Sequence, residues 1–355
     1  MIQDVVAWVL LAAVAAYACA GGTDYGAGFW DLFAGGSERG KRPRWLIDHA
    51  MEPVWETNNV WLIFVLVIMW TGFPVLFQTI FTAMWLPLAL AAVGLVLRGA
   101  GFALRKPMTR LSRRRIYGAA FAVSSLLTPF FLGAVIGGLA TGRVAPGTKA
   151  SADAWSNGTS VLAGLLTVAA TAFLGAVFLT ADARRFDAPD LVRYFRLRAW
   201  CSLGIVAVLA VVGLAVTHHD ARYVYDGLTS GIGLALVLVA VVSAVATAGL
   251  LYRTATGWAR ITAVGSVALV VFAWGVAQRP YLIPTSLTVD QAAGASTTLR
   301  WLLLVTVIAM VLVGPPLVLL YRLDTGGALQ PLAENDLRRT AVNRDPGSAG
   351  SAPPS

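Results

Sequence analysis

Three ionisable residues stand in apolar surroundings: Asp24 in AGGTDYGAG, Glu56 in PVWETNNVWL and Arg98 in LVLRGAG. Two carboxyl groups and one guanidinium, gathered away from water, leave one carboxylate without a full counter-charge. Burial and a second carboxylate favour the protonated acid, whereas a nearby arginine favours the ionised one. Such a set titrates as a coupled unit and can hold and release a proton near neutral pH. Asn58 and Asn59, beside Glu56, can hydrogen-bond across helices or hold water.

The elements that must bring these residues together are membrane helices. The chain has 355 residues, 57% hydrophobic and 13% charged, with a mean hydropathy of +0.72; soluble domains are about a quarter charged. Nine apolar stretches fall at about 5–32, 53–72, 79–102, 116–140, 159–181, 199–217, 229–252, 260–278 and 299–321. Each approaches the roughly twenty residues that cross a bilayer, and in lipid a helix satisfies its own backbone. This is an all-α polytopic membrane protein of nine expected transmembrane helices. The N-terminal stretch has no basic segment before it and reads as a retained first helix.

Net charge is +9, yet the basic residues lie in short runs between apolar segments. Membrane orientation and anionic headgroups account for them, and no nucleic acid is expected. The odd-numbered connections and the tail carry 21 Lys and Arg, the even-numbered connections five. By the positive-inside rule the N-terminus is outside and the C-terminus cytoplasmic. The organisation is then one transmembrane domain over 1–322 and a Pro-, Gly-, Ser- and Ala-rich tail over 323–355, expected to be disordered and cytoplasmic.

Depth follows by counting. The break Thr71-Gly72-Phe73-Pro74 ends the second span, and about twenty residues back is Pro53, suited to a first helical position. Glu56 then lies about 5 Å inside the cytoplasmic end. Asp24 lies about twenty residues into the first span, which continues to Phe33, and Arg98 about twenty residues into the third. All three share one cytoplasmic-side layer. Each also has a plainer reading: Glu56 complements a helix dipole, Asp24 caps the glycine-rich turn region, Arg98 snorkels to lipid phosphates. Trp55 and Trp61 are interface anchors first. Gly22, Gly26 and Gly28, like Gly227 and Gly231 in the seventh span, let another helix approach closely.

The histidines are His49, His218 and His219, all at span ends or in connections, where none could be an axial haem ligand in mid-membrane. Cys19 and Cys201 sit in or beside separate apolar segments and read as packing residues. Neither a Walker A sequence nor a zinc-ligand cluster is present, so the chain has no metal site and no catalytic residue of its own in this reading.

Several segments together resemble one family. They are Gly22-Thr23-Asp24-Tyr25-Gly26-Ala27-Gly28, Pro53-Val54-Trp55-Glu56-Thr57-Asn58-Asn59-Val60-Trp61-Leu62, Leu86-Pro87 with Leu97-Arg98, Ser125-Leu126-Leu127-Thr128-Pro129-Phe130, Pro280-Tyr281-Leu282-Ile283-Pro284-Thr285-Ser286-Leu287-Thr288 and Ser296-Thr297-Thr298-Leu299. In this order they resemble subunit II of the cytochrome bd-type quinol oxidases, over nearly the whole chain. The resemblance implies nine helices in two four-helix bundles plus one peripheral helix. It implies a bacterial plasma-membrane heterodimer, pseudosymmetric with a subunit I that holds the b and d haems and oxidises quinol. This chain would bind no haem, with a quinone or phospholipid as an additional ligand and small accessory subunits as additional partners. The complex reduces oxygen to water. By resemblance Asp24, Glu56 and Arg98, with Asn58 and Asn59, match a proton route from the cytoplasm, and Trp61 matches an oxygen route. The motif departs from the family's usual Asp-Gly-Asn-Glu or Asp-Gly-Asn-Gln, having Glu56-Thr57-Asn58-Asn59. A proton-coupled secondary transporter and a purely structural membrane scaffold stand as alternatives.

Overall fold

The computed structural model describes residues 1–36, 40–51, 55–105 and 111–325, excepting the side chains of 51, 55–57, 102–105, 111–117, 317 and 320–325. Met1–Leu299 form one compact unit, and the remainder of the last helix belongs to a second.

The first half of the compact unit holds α1 (Ile2–Leu32), α2 (Lys41–Met51), α3 (Trp55–Gly72), α4 (Pro74–Ala83), α5 (Trp85–Arg105), α6 (Leu111–Ala140) and α7 (Gly158–Arg185). The second half holds α8 (Pro189–Asp220), α9 (Arg222–Leu228), α10 (Gly231–Tyr252) and α11 (Thr256–Ala277). A hairpin of β1 (Tyr281–Ile283) and β2 (Leu287–Thr288) follows, then α12 (Val289–Ala292) and α13 (Ser296–Thr325). The hairpin is antiparallel, with Tyr281 opposite Thr288 and Ile283 opposite Leu287. It is a small addition to the all-α expectation. The expected tail is helical as far as Thr325; residues 326–355 lie outside the described residues.

Among the described residues seven helices are long and apolar enough to cross a membrane, or eight if one bent pair is a single span. That pair, Asn58–Gly72 with Pro74–Ala83, turns by 116°. The expected third span, 79–102, is therefore not one helix. Its first residues end α4, a break falls at Met84, and α5 begins at Trp85, with Trp85–Gly101 as a shorter apolar helix. The physical reason lies in two prolines. Pro74 opens α4 at a permitted first-turn position. Pro87 has no N–H to offer the carbonyl of Ala83 and its ring would clash there, so it sits in the first turn of a new helix. The backbone amide of Gly294 donates to the carbonyl of Gly72 at 2.9 Å, closing the exposed end of α3.

α1 is the hub, packing against α3, α6, α7 and α11. Its crossing with α7 is as close as two backbones allow. A Cβ on Gly26 would lie 1.9 Å from the carbonyl oxygen of Thr171, and Gly175 faces it at the same point. Trp30 Nε1 donates to the carbonyl of Ala172 at 2.8 Å and fixes the register. Beyond that crossing Phe173, Leu174, Val177 and Leu179 of α7 form the core with Leu46 and Ile47 of α2 and Phe195 of α8. α2, unforeseen in the first connection, is tied down by Arg44 on the buried carboxylate of Asp31 at 3.0 Å. Gly227 and Gly231, expected in one span, fall in α9 and at the start of α10.

Gly26→Ala should destabilise the protein by about 1–3 kcal/mol, since the new methyl meets backbone that cannot yield. Gly204→Ala, which meets open space, should be neutral. Thermal unfolding followed by detergent size-exclusion separates them; equal midpoints would contradict the close crossing.

Candidate functional site

The site is built where α1, α3, α5 and α6 meet. α1 carries Asp24 and Tyr25, α3 carries Asn58, α5 carries Arg98, and α6 carries Phe121, Ser125 and Thr128. Asp24 is 4% exposed, Asn58 2% and Arg98 2%, so none of them snorkels or caps in water. The Asn58 side chain hydrogen-bonds the Asp24 carboxylate, and Arg98 acts on that carboxylate electrostatically. Arg98 Nη1 donates to Ser125 Oγ at 2.7 Å, and Ser125 Oγ in turn donates to the carbonyl of Phe121 at 2.9 Å. Arg98 Nη2 is buried without a hydrogen-bond partner. The guanidinium lies between two rings, with Cζ 4.7 Å from the Tyr25 centroid and 4.6 Å from that of Phe121.

A small residue makes this geometry possible. A Cβ on Gly28 would lie 2.0 Å from Ser125 Oγ and 3.0 Å from Arg98 Nη1. The glycine spacing in α1 thus serves two contacts, Gly26 for α7 and Gly28 for the arginine. Gly22 faces Leu174 more loosely, its Cβ position 3.1 Å from Cδ1.

Of the residues singled out from sequence, Asp24, Asn58 and Arg98 are brought together. Glu56 falls on the first turn of α3, but its side chain lies outside the described residues, as does Pro53. Asn59 is half-buried on α3. Trp61 is half-buried and meets Phe64 edge-on, with centroids 6.3 Å apart. Sequence reasoning assigned no role to Tyr25, Ser125 and Thr128. The signal was present in the polar pair Ser125 and Thr128, three residues apart in the apolar part of α6, a spacing that puts both on one face.

Further along α1 an apolar cavity of about 240 Å³ opens between α1, α3, α4, α5, α6 and α11. Leu66, Leu88 and Leu132 are typical of its wall, and Tyr17 lies on it. Trp274 and Gln278 also line it, and their Nε1 and Oε1 atoms are buried without hydrogen-bond partners. At its rim Arg279 pairs with Asp4 at 3.0 Å. Among the described residues no three His, Cys, Asp or Glu side chains gather where they could hold a metal ion.

Ser125→Ala should leave a second guanidinium N–H of Arg98 buried and unpaired. A loss of about 1–3 kcal/mol is expected, read as a lower thermal midpoint, with Gly28→Ala showing a comparable loss. A midpoint at the wild-type value for both would contradict the contact.

The arrangement matches known proteins over most of the chain. The family model for cytochrome bd terminal oxidase subunit II matches residues 2–324. The chain is 26% identical over 204 residues to subunit 2 of cytochrome bd ubiquinol oxidase of Bacillus subtilis, covering 56% of this chain and 58% of that one. It is 25% identical over 137 residues to subunit 2 of cytochrome bd-I ubiquinol oxidase of Escherichia coli K12, covering 38% and 35%. The chain thus spans little more than half of the first relative and about a third of the second. A chain in the solved structure of bd oxidase from Geobacillus thermodenitrificans superposes with a TM-score of 0.75 at 25% identity, covering 91% of this chain and 98% of that one. The extent of the family match and the shared helical fold lead to one conclusion: this chain belongs to the cytochrome bd terminal oxidase subunit II family.

Proposed function

We propose that the chain is the haem-free subunit II of a bd-type terminal quinol oxidase, in which quinol oxidation is coupled to the reduction of oxygen to water. It supports a haem-bearing subunit I and supplies a proton route from the cytoplasmic side through Asp24, Arg98, Asn58, Asn59 and Glu56, with Trp61 beside an oxygen route. One observation carries the reading: a carboxylate on α1 and a guanidinium on α5, both almost fully buried and interacting electrostatically, with Asn58 hydrogen-bonded to the acid. Ionisable groups at that burial are rare in membrane helices and mark functional paths.

The reading keeps nine spans, by taking α3 and α5 with α4 between them as two crossings, in two four-helix bundles with a peripheral helix. It keeps a transmembrane domain over 1–322 followed by a tail, a bacterial plasma-membrane location, an outside N-terminus and a cytoplasmic C-terminus. The distribution of Lys and Arg supports that orientation. Subunit I and small accessory subunits are the partners. The b and d haems of subunit I supply the redox chemistry, while this chain holds and moves protons. The cavity beside α1 fits an isoprenoid or acyl chain, since its walls are apolar; the unpartnered Trp274 Nε1 suits a quinone carbonyl or a phospholipid ester as donor, and Gln278 Oε1 suits a quinol hydroxyl as acceptor.

The experiment is proton uptake and oxygen consumption by the purified complex. Asp24→Asn and Glu56→Gln should each slow oxygen-linked proton uptake by roughly 100-fold, the scale of a lost positioned proton-transfer group. Haem bands and subunit ratio should stay as in the wild type. Unchanged uptake in assembled complexes would sink the proton route and leave a structural role.

A further inference from the structure

The arginine at the centre of the site is covered by the ring of a tyrosine. Tyr25 directly follows Asp24 on α1, and its ring covers one face of Arg98 at 4.7 Å. Guanidinium groups are weakly hydrated and stack on aromatic faces, more strongly when desolvated. Unlike a phenylalanine, this ring is tethered by its hydroxyl. Tyr25 Oη lies 3.0 Å from Tyr17 Oη and hydrogen-bonds Thr128. Thr128 stands one turn beyond Ser125, which holds Arg98 Nη1. Thr128 Oγ1 also reaches the carbonyl of Ala91 on α5 at 3.3 Å. The guanidinium and the ring stacked on it are therefore gripped by successive hydroxyls of one helix face.

We propose that Tyr25 is a positioning residue for the Asp24–Arg98 pair, its tethered ring fixing the plane of the guanidinium beside the carboxylate of the preceding residue. This rests on the proton-route reading. The hydroxyls of Tyr25 and Tyr17 tether and do not conduct. Beyond Tyr17 the path meets the cavity wall of Leu66, Leu88 and Leu132. Asp4, an ionisable group at the cavity's far end, lies thirteen residues earlier on α1, about 20 Å along the helix axis.

The test compares Tyr25→Phe, Tyr25→Leu and Tyr17→Phe in the purified complex, reading kcat and KM for quinol and the pH profile of oxygen consumption. Tyr25→Leu, which loses the ring, should lower kcat about tenfold with KM unchanged. Tyr25→Phe and Tyr17→Phe, which keep the ring and lose the tether, should lower kcat about two- to threefold and displace the pH profile. Wild-type kcat in assembled Tyr25→Leu would overturn the proposal, as would a change confined to KM. Equal losses in Tyr25→Phe and Tyr25→Leu would also overturn it, by making the hydroxyl a conduit. If Tyr25→Leu does not assemble, a wild-type kcat and pH profile in both phenylalanine variants overturns it. Asp24→Asn separates the two levels. A wild-type rate there sinks the proton route itself, whereas a slow Asp24→Asn beside a fast Tyr25→Leu sinks only the role of Tyr25.

Discussion

The burial of one cation organises this half of the molecule. An ionised guanidinium buried in a membrane helix is unfavourable unless it is partnered, and Arg98 is 2% exposed. Each neighbour answers that demand differently. Asp24 supplies opposite charge, Ser125 an acceptor for Nη1, and Tyr25 and Phe121 two π-faces. Gly28 supplies only the absence of a side chain, without which Ser125 could not reach. This set sits where α1 and α5 both pack against α6. Nη2 of Arg98 is left buried without a hydrogen-bond partner.

Much of the site was legible in the sequence because depth in a membrane is countable. A helix rises about 1.5 Å per residue, so the break at Gly72 and the apolar start at Val5 gave expected depths for Glu56 and Asp24, whereas the count from Thr79 to Arg98 ran across the break at Met84 that separates α4 from α5. The structure brings Asp24 and Arg98 together with Asn58. What counting could not supply is rotation about the helix axis. Nothing in the run AGGTDYGAG says that Tyr25 turns toward Arg98, or that Tyr17 and Thr128 hold it there. Those contacts arise from tertiary packing, and polar residues such as Ser125 and Thr128 in an apolar helix look the same whether they bond their own backbone or a neighbour.

The fold was legible to a similar degree. Hydropathy located the long helices, and the break at Gly72 fell where the Gly and Pro residues indicated. The same averaging hid the second break, because residues 79–102 are predominantly apolar and a break in a helix leaves hydropathy unchanged. Pro87 was the available sign, since a proline within an apparent span removes a helix bond and crowds the carbonyl four residues back. α2 was missed for the opposite reason. Its eleven residues, KRPRWLIDHAM, are basic at one end and short, and they read as a charged connection until Arg44 meets Asp31 and Leu46 and Ile47 enter the core.

The account stands or falls on whether the buried guanidinium serves proton transfer or only holds helices together. The most direct measurement is stopped-flow proton uptake by the assembled complex carrying Arg98→Met, a change that keeps bulk and removes charge. The account predicts uptake slowed by roughly 100-fold with haem bands and subunit ratio unchanged. Uptake at the wild-type rate in that complex would contradict it.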